Sequence, residues 1–447
     1  MSVLSNSSEL EKIGGTGEAA RLFPVLSESS KEGRTLSILL SVLAHVPEFS
    51  NSVLKPLGRP IGKRAKVEAF TEVKFPKSIN PECRPDGLIV VTTGKTVWRV
   101  LVEAKIGTNR LDKKQVEDYL TLARDVQANA LLTISNDFVA SPDQHPLDID
   151  KRLLRKTELF HVSWFSFLTA LSLLRENDTI ADTDHEFVLG ELERFLVHQS
   201  AGLQRFTKMP SGWTDVLDRI RGGLAISKSG DEVQAVVESW HSELRDLCLL
   251  LSRKTGSLVE LKLPRKLRDD PTARVAADCA SIASGGLLSA CFSIPNTAST
   301  MEIEADLSSR TLRATAQLDA PKDKARQASR LNWLTRQLQG TSREEIMVQS
   351  FWPGRAPVIE HSLQASIAEP ELHSHPDRSM LPHSFAATIR VEDGKKFAGT
   401  AAFISTLEDL AIDFYDSVLS HLTAWQAPPP KLRAAAEELD QEVDEIE

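Results

Sequence analysis

Two carboxylates and an amine stand at spacings suited to phosphoryl chemistry. Asp86 lies between Pro85 and Gly87, and Glu103 and Lys105 flank Ala104. Side chains alternate faces along a strand, so Glu103 and Lys105 on one strand point the same way. Residues 86–93 and 96–105 read as two strands joined at Thr92-Thr93-Gly94-Lys95. Antiparallel pairing of that hairpin brings Asp86 beside the Glu103 end. Hydrolysis of a phosphodiester calls for such a set. Paired carboxylate oxygens hold Mg²⁺, which keeps waters and takes phosphate oxygens as its other ligands. The cation acidifies a bound water and offsets charge building on phosphorus. A neighbouring lysine orients that water or meets the developing charge. The carbonyl of Ala104 is a further candidate ligand. Charge at the end of the apolar run Val97, Val100, Leu101, Val102 needs a reason.

The surrounding pattern supplies elements to position these groups. From Glu32, the stretch EGRTLSILLSVLAHV repeats leucine at helical spacing, and Pro47 ends it. Strands are predicted at Val67–Phe75, Gly87–Thr93 and Thr96–Lys105, a helix at Asp112–Ala128, and strands at Ala130–Ser135 and Leu159–Val162, with a helix from Ser163. That mixed order fits a small α/β sheet covered by helices.

With the elements in place, residues 31–175, roughly a third of the chain, resemble the PD-(D/E)xK nuclease superfamily. Pro85-Asp86 and Glu103-Ala104-Lys105 correspond to its signature. Gln115 and Tyr119, at i and i+4 on one helix face, resemble the QxxxY motif of the RecB-like and lambda-exonuclease-like branch. Glu32 resembles the acid on the first helix that completes the metal shell. The resemblance implies a restriction-endonuclease-like α/β domain with an αβββαβ core. It also implies Mg²⁺ (or Mn²⁺) on Asp86, Glu103, Glu32 and Ala104, with Lys105 beside the attacking water. Gln115 and Tyr119 would orient these groups. The expected activity is phosphodiester hydrolysis, of DNA rather than RNA, in defence, repair or mobile-element processing. The rival is a protein that kept the fold, lost turnover and binds nucleic acid or another protein. Each supporting residue also has a plainer role. Tyr119 reads as core, Gln115 as helix surface, and Glu32 as an acid complementing a helix N-terminus.

The rest of the chain divides by pattern. Residues 1–30 read as a loose lead-in, 176–260 as a helical connector, 261–427 as an α+β domain and 428–447 as an acidic tail. In the latter half, helices are expected at His185–His198, Trp213–Ile226, Glu232–Arg253, Lys322–Gln339 and Ala401–Trp425. Strands are expected at Met301–Leu307, Thr311–Leu318, Ile346–Phe351, Leu363–Ile367 and Phe385–Val391. The formal charge is −9, but seven acids fall within residues 437–447, and without them the balance is −2. The acidic total therefore does not exclude a nucleic-acid partner. Lys55, Arg59, Lys63, Arg64, Lys66, Lys74 and Lys77, and later Lys151, Arg152, Arg155 and Lys156, read either as phosphate contacts or as solvated loops. Lys322, Arg326, Arg330 and Trp333 on one helix carry the same two readings. His373, His375 and His383 lie close together without firm ligand spacing. No cysteine pair has zinc-like spacing, no signal peptide is expected from residues 1–12, and no apolar run is long enough to span a bilayer. The expectation is a cytoplasmic protein, free of membrane and compatible with a homodimer. No phosphate-binding glycine loop or nucleophile elbow is present.

Overall fold

The computed structural model describes residues 8–26, 30–59, 61–62, 64–107, 109–137, 139, 141–177, 179–203, 206–341 and 345–427. Lys63 and the acidic tail from residue 428 lie outside the described residues.

The chain opens with α1 (Ser8–Lys12), β1 (Thr16–Ala19), α2 (Lys31–His45) and α3 (Pro47–Leu54). It continues with β2 (Ala65–Lys74), β3 (Gly87–Thr93), β4 (Thr96–Ala104), α4 (Lys113–Asp125), β5 (Ala130–Ser135), β6 (Glu158–Ser163), α5 (Trp164–Glu176) and α6 (Thr183–Val197). Strands β1 to β6 form one sheet in sequence order. The pairs from β1 to β4 are antiparallel, and β4, β5 and β6 run parallel. This is a mixed α/β arrangement with helices on both faces.

Covered faces explain the continuous apolar strands. On one side Leu36, Leu39, Phe49 and Leu192 of the helices meet Val100, Val102, Leu132 and Ile134. On the other, Val116, Tyr119, Leu120 and Ala123 of α4 meet Leu88, Val90, Leu101 and Leu131. Thr93 pairs with Thr96, leaving a two-residue hairpin loop. Gly94 opens it at φ 61°, a conformation glycine adopts without steric cost.

Later elements are α7 (Trp213–Arg221), α8 (Asp231–Thr255), β7 (Glu260–Leu261), α9 (Arg265–Asp269), α10 (Pro271–Gly285), β8 (Leu287–Ser293), β9 (Met301–Asp306) and β10 (Thr311–Asp319). Then come α11 (Gln327–Leu338), β11 (Met347–Phe351), β12 (Ile359–Ser362), α12 (Leu363–Ala368), β13 (Ser384–Val391), α13 (Gly394–Ala398) and α14 (Thr400–Ser417). A second sheet has the order β12-β11-β13-β10-β9-β8-β7, with its β7–β8, β11–β12 and β11–β13 pairs antiparallel. The chain divides into two compact units. One comprises residues 1–295, 302–313 and 391–412, and the other residues 296–301, 314–390 and 413–447. In the first, the buried Trp213 donates from Nε1 to the Phe397 carbonyl at 3.1 Å and packs 4.7 Å from the Phe403 ring. In the second, His373 is buried between the hydroxyls of Ser350 and Ser366, at 2.7 and 2.9 Å.

Several elements depart from the sequence expectation. Within the stretch read as a loose lead-in, residues 8–12 form α1, and 16–19 add an edge strand to β2. Glycines at 14, 15 and 17 dilute the local pattern, and the pairing partner is distant in sequence. Pro47 ends α2 and also opens α3, where its missing N–H costs nothing. Residues 363–367, expected as a strand, are helical because Ser362 caps them, accepting from the Ala365 N–H at 3.2 Å. The helix expected from Lys322 starts at Gln327. Arg330 reaches back to the carbonyls of Lys324 and Pro382, at 2.9 and 2.8 Å, and holds the turn before it. Helix α7 stops at Arg221, before Gly222-Gly223. Among the described residues no single helix is long and apolar enough to cross a membrane.

Candidate functional site

Strand register assembles the acids. Gly87 pairs with Val102 across β3 and β4, so Asp86 and Glu103 occupy the next positions at one sheet end. Asp86 Oδ2 accepts the Ala104 N–H at 2.9 Å. Lys105 donates its backbone N–H to the Ile134 carbonyl at 2.8 Å. Its own carbonyl accepts Trp164 Nε1–H, also at 2.8 Å. The strand end is therefore fixed on both sides before any side chain acts.

Glu103 is 1% exposed. One of its oxygens pairs with the Lys105 ammonium, and the other, Oε2, is buried without a hydrogen-bond partner. Burial, then the nearby Asp86 carboxylate, pushes the Glu103 carboxyl up to about 8, against the pull of Lys105. Burial raises Asp86 too. The Ala104 N–H and Lys105 oppose that rise, and the charge of Glu32 adds to it. For Lys105, burial disfavours the charged form, but Glu103, Asp86 and Glu32 outweigh it and hold the ammonium above its ordinary range.

Glu32, on the first turn of α2, joins this group. Its Oε1 lies 3.6 Å from Lys105 Nζ, and its Oε2 accepts from the Ile106 N–H at 3.1 Å and from Asn109 at 3.4 Å. Gln115 donates to the Tyr119 hydroxyl at 3.1 Å, and that hydroxyl donates to the Arg84 carbonyl at 2.9 Å. Tyr119 thus ties α4 to the turn carrying Asp86. Its phenol is raised by burial and then by the charge of Glu103. A cleft of about 350 Å³ lies beside Gln115 and Tyr119, lined also by Arg84, Lys114 and Asp118; Glu32, Asp86, Glu103 and Lys105 are not in its lining. Ala104 is buried between Glu103 and Lys105, its side chain in the core under α2.

Gly87 is required beside Asp86. A Cβ there would stand 2.9 Å from the Phe70 carbonyl oxygen and 2.9 Å from Leu40 Cδ1. Gly87→Ala is expected to cost about 1–3 kcal/mol, as overpacking does, seen as a lower urea midpoint. An unchanged midpoint would show that β2 can yield.

Three features escape the sequence patterns. Glu72 sits in the left-handed region at φ 53°, where the β1–β2 register shifts. It lines a small recess with Asp86, Glu18 and Arg21. The second feature is a polar row on the α4 side of the sheet. Glu103 pairs in register with Thr133, and Thr133 with His161. His145 Nδ1 accepts from the Leu147 N–H at 3.1 Å, so its proton is on Nε2, 3.0 Å from Thr133 Oγ1. The Thr133 hydroxyl donates toward the Phe160 carbonyl at 3.1 Å and His161 Nδ1 at 2.9 Å, which share its one proton, and His161 Nε2–H donates to the Asp137 carbonyl at 3.0 Å. The signal for it was a threonine and a histidine inside otherwise apolar strands. Burial, then His161, holds His145 down at about 4. The unfolded chain therefore takes a proton first as pH falls below the ordinary value of 6.5. Stability from this site is complete above pH ~6.5 and is lost toward pH ~4, an effect of at most about 3 kcal/mol before solvent screening. Urea midpoints at both pH values, for wild type and His145→Gln, should show a flatter dependence in the variant. Parallel curves would remove His145 as the cause.

The third feature is a second acid group. Carboxylate oxygens of Glu243, Asp246 and Glu408 lie within 4.8 Å of one another. Each takes part in at least one further interaction, hydrogen-bonded or electrostatic, so their closeness alone does not define a cation site. His373, His375 and His383 form no such group among the described residues. Of the basic residues, Arg59 pairs with Glu158 at 3.2 Å and lies over the Trp98 ring, and Lys66 pairs with Glu68 at 2.9 Å. Arg330 is spent on backbone carbonyls.

Comparison with models of known protein families, with curated proteins and with solved structures gave no match to this chain.

Proposed function

We propose that the chain is a Mg²⁺- or Mn²⁺-dependent nuclease, acting on DNA in preference to RNA. Its site would be the end of β3 and β4 on a restriction-endonuclease-like core. One observation carries the reading: Asp86, Glu103, Lys105 and Glu32 converge, and the buried Glu103 Oε2 has no hydrogen-bond partner. The element order α2-β2-β3-β4-α4-β5, with α3 inserted, supports the αβββαβ comparison. The donor set is all hard oxygen, which suits these cations. A buried carboxylate oxygen without a hydrogen is a costly feature that a cation would relieve.

In this reading Asp86 and Glu103 hold the cation, with Glu32 and the Ala104 carbonyl as supporting ligands. When bound, the cation supplies an acidified water and charge neutralisation at phosphorus. Lys105 points its ammonium into the same space, where it orients the water and meets developing negative charge. Tyr119 and Gln115 keep the Asp86 turn in place through the Arg84 carbonyl. Beyond the carboxyl ends of parallel strands β4 to β6 lies the usual place for a ligand in such sheets.

The Lys105–Glu103 pair also suits a protein that binds nucleic acid without cutting it, since a closed ion pair is stable by itself. Incubation with supercoiled plasmid, single-stranded DNA and RNA, each with Mg²⁺ and with Mn²⁺, separates the two. Cleavage lost on chelation is expected. No cleavage of any substrate, with no metal uptake by calorimetry, would overturn the enzyme reading.

A further inference from the structure

The long helix α8 and the helix α10 carry a second cluster of charge, on different residues from the acid site. His241 on α8 bonds Asp278 on α10 at 2.6 Å. One turn further along α8 is Arg245, and one turn back along α10 is Arg274. Residues four apart share a helix face. Both arginines therefore flank the His241–Asp278 contact between the two helices, and burial, then the charge of Arg245, pulls Arg274 down to about 10. Cys248 lies on the same α8 face, about one turn beyond Arg245.

Arg274 is only 7% exposed. Neither Arg245 nor Arg274 donates a side-chain hydrogen bond or joins an ion pair among the described residues. The nearby acids leave them unpaired. Asp278 is taken by His241, and Glu260, close enough to act on Arg245, forms no ion pair. Buried arginines are normally paired, because an uncompensated buried charge is costly. Two arginines on neighbouring helices, beside one interhelical contact and without an ion-pair partner, offer paired donors to an oxyanion. Guanidinium geometry matches phosphate oxygens through paired donors.

We propose that Arg245 and Arg274, with His241 beside them, bind a phosphate-type dianion: inorganic phosphate or a phosphomonoester. Two fixed positive charges match a monoester, with its two negative charges, better than an internal phosphodiester, which carries one. The site does not depend on the nuclease reading.

The test is thermal unfolding and calorimetry of the full chain, titrated with inorganic phosphate, adenosine monophosphate, and an oligodeoxynucleotide with or without a terminal phosphate. Ionic strength is held constant with NaCl, because phosphate stabilises proteins non-specifically at high concentration. A ligand bound only by the folded state raises the melting temperature. Arg274→Met and Arg245→Gln are expected to weaken binding at least about tenfold, the scale of a charge-assisted hydrogen bond. Without phosphate, Arg274→Met should melt no lower than wild type, since it removes a buried repulsion. If Arg274→Met does not fold, the less buried Arg245→Gln carries the comparison. A response to phosphate and the mononucleotide assigns a small-molecule source, and a response confined to the phosphorylated strand end assigns a nucleic-acid source. If no probe shifts the wild type more than the two variants, the proposal is overturned.

Discussion

Glu103→Gln is expected to abolish metal-dependent cleavage, by at least about 10²-fold, the scale for losing one charge-stabilising group in an active site, while leaving the fold intact. The substitution is nearly isosteric and keeps a polar group for Lys105. It removes a carboxylate whose burial and proximity to Asp86 make charge costly, so unfolding free energy should not fall by more than about 1 kcal/mol. Metal affinity should fall with activity, because the Oε2 oxygen without a partner is the atom assigned to the cation. Calorimetric titration with Mn²⁺ beside a plasmid-nicking assay reads both. A variant that cleaves like wild type would remove Glu103 from the site. One that binds metal normally but does not cleave would assign it to the reaction and free it from the metal.

The site was legible where its geometry is local. The hairpin loop is two residues, and counting back from Thr93 and Thr96 pairs position 86 with 103. Alternation along β4 places Lys105 on the side of Glu103. A single helix repeat sets Gln115 over Tyr119. What failed to show depends on contacts between distant segments. Thr133 and His161 stand beside Glu103 only because β5 and β6 run parallel to β4, in a register set by helix packing. Strand β1 is recruited by β2 across some fifty residues, and its own four residues, TGEA, carry no strand pattern. Arg245 and Arg274 are ordinary helix residues in sequence, and only the α8–α10 pairing buries them without an ion-pair partner among the described residues. At Leu363, an apolar start suggested a strand, but the cap from Ser362 decided the conformation. Short-range capping chemistry outweighed a weak hydrophobic pattern there.

Lys105→Met should separate rate from binding. The ammonium is the positive charge facing Glu103, Asp86 and Glu32 together, at 3.6 Å from the last. Methionine keeps the length of the stem and removes the donor. Cleavage should fall about 10²–10³-fold, because the group that orients water and meets developing charge is gone. Metal binding should survive, and the thermal response to metal should grow. In wild type the lysine already offsets part of the acid repulsion, whereas the variant leaves that to the cation. Without metal, the variant should lose about 3–5 kcal/mol of stability, the scale for breaking one half of a buried pair. Mg²⁺ should restore much of this through binding to the folded state. A larger metal-dependent rise in melting temperature for Lys105→Met than for wild type is therefore the signature. Equal loss of metal affinity in Lys105→Met and Glu103→Gln would place both residues in one ion pair with a purely structural duty, and would favour the binding protein over the nuclease.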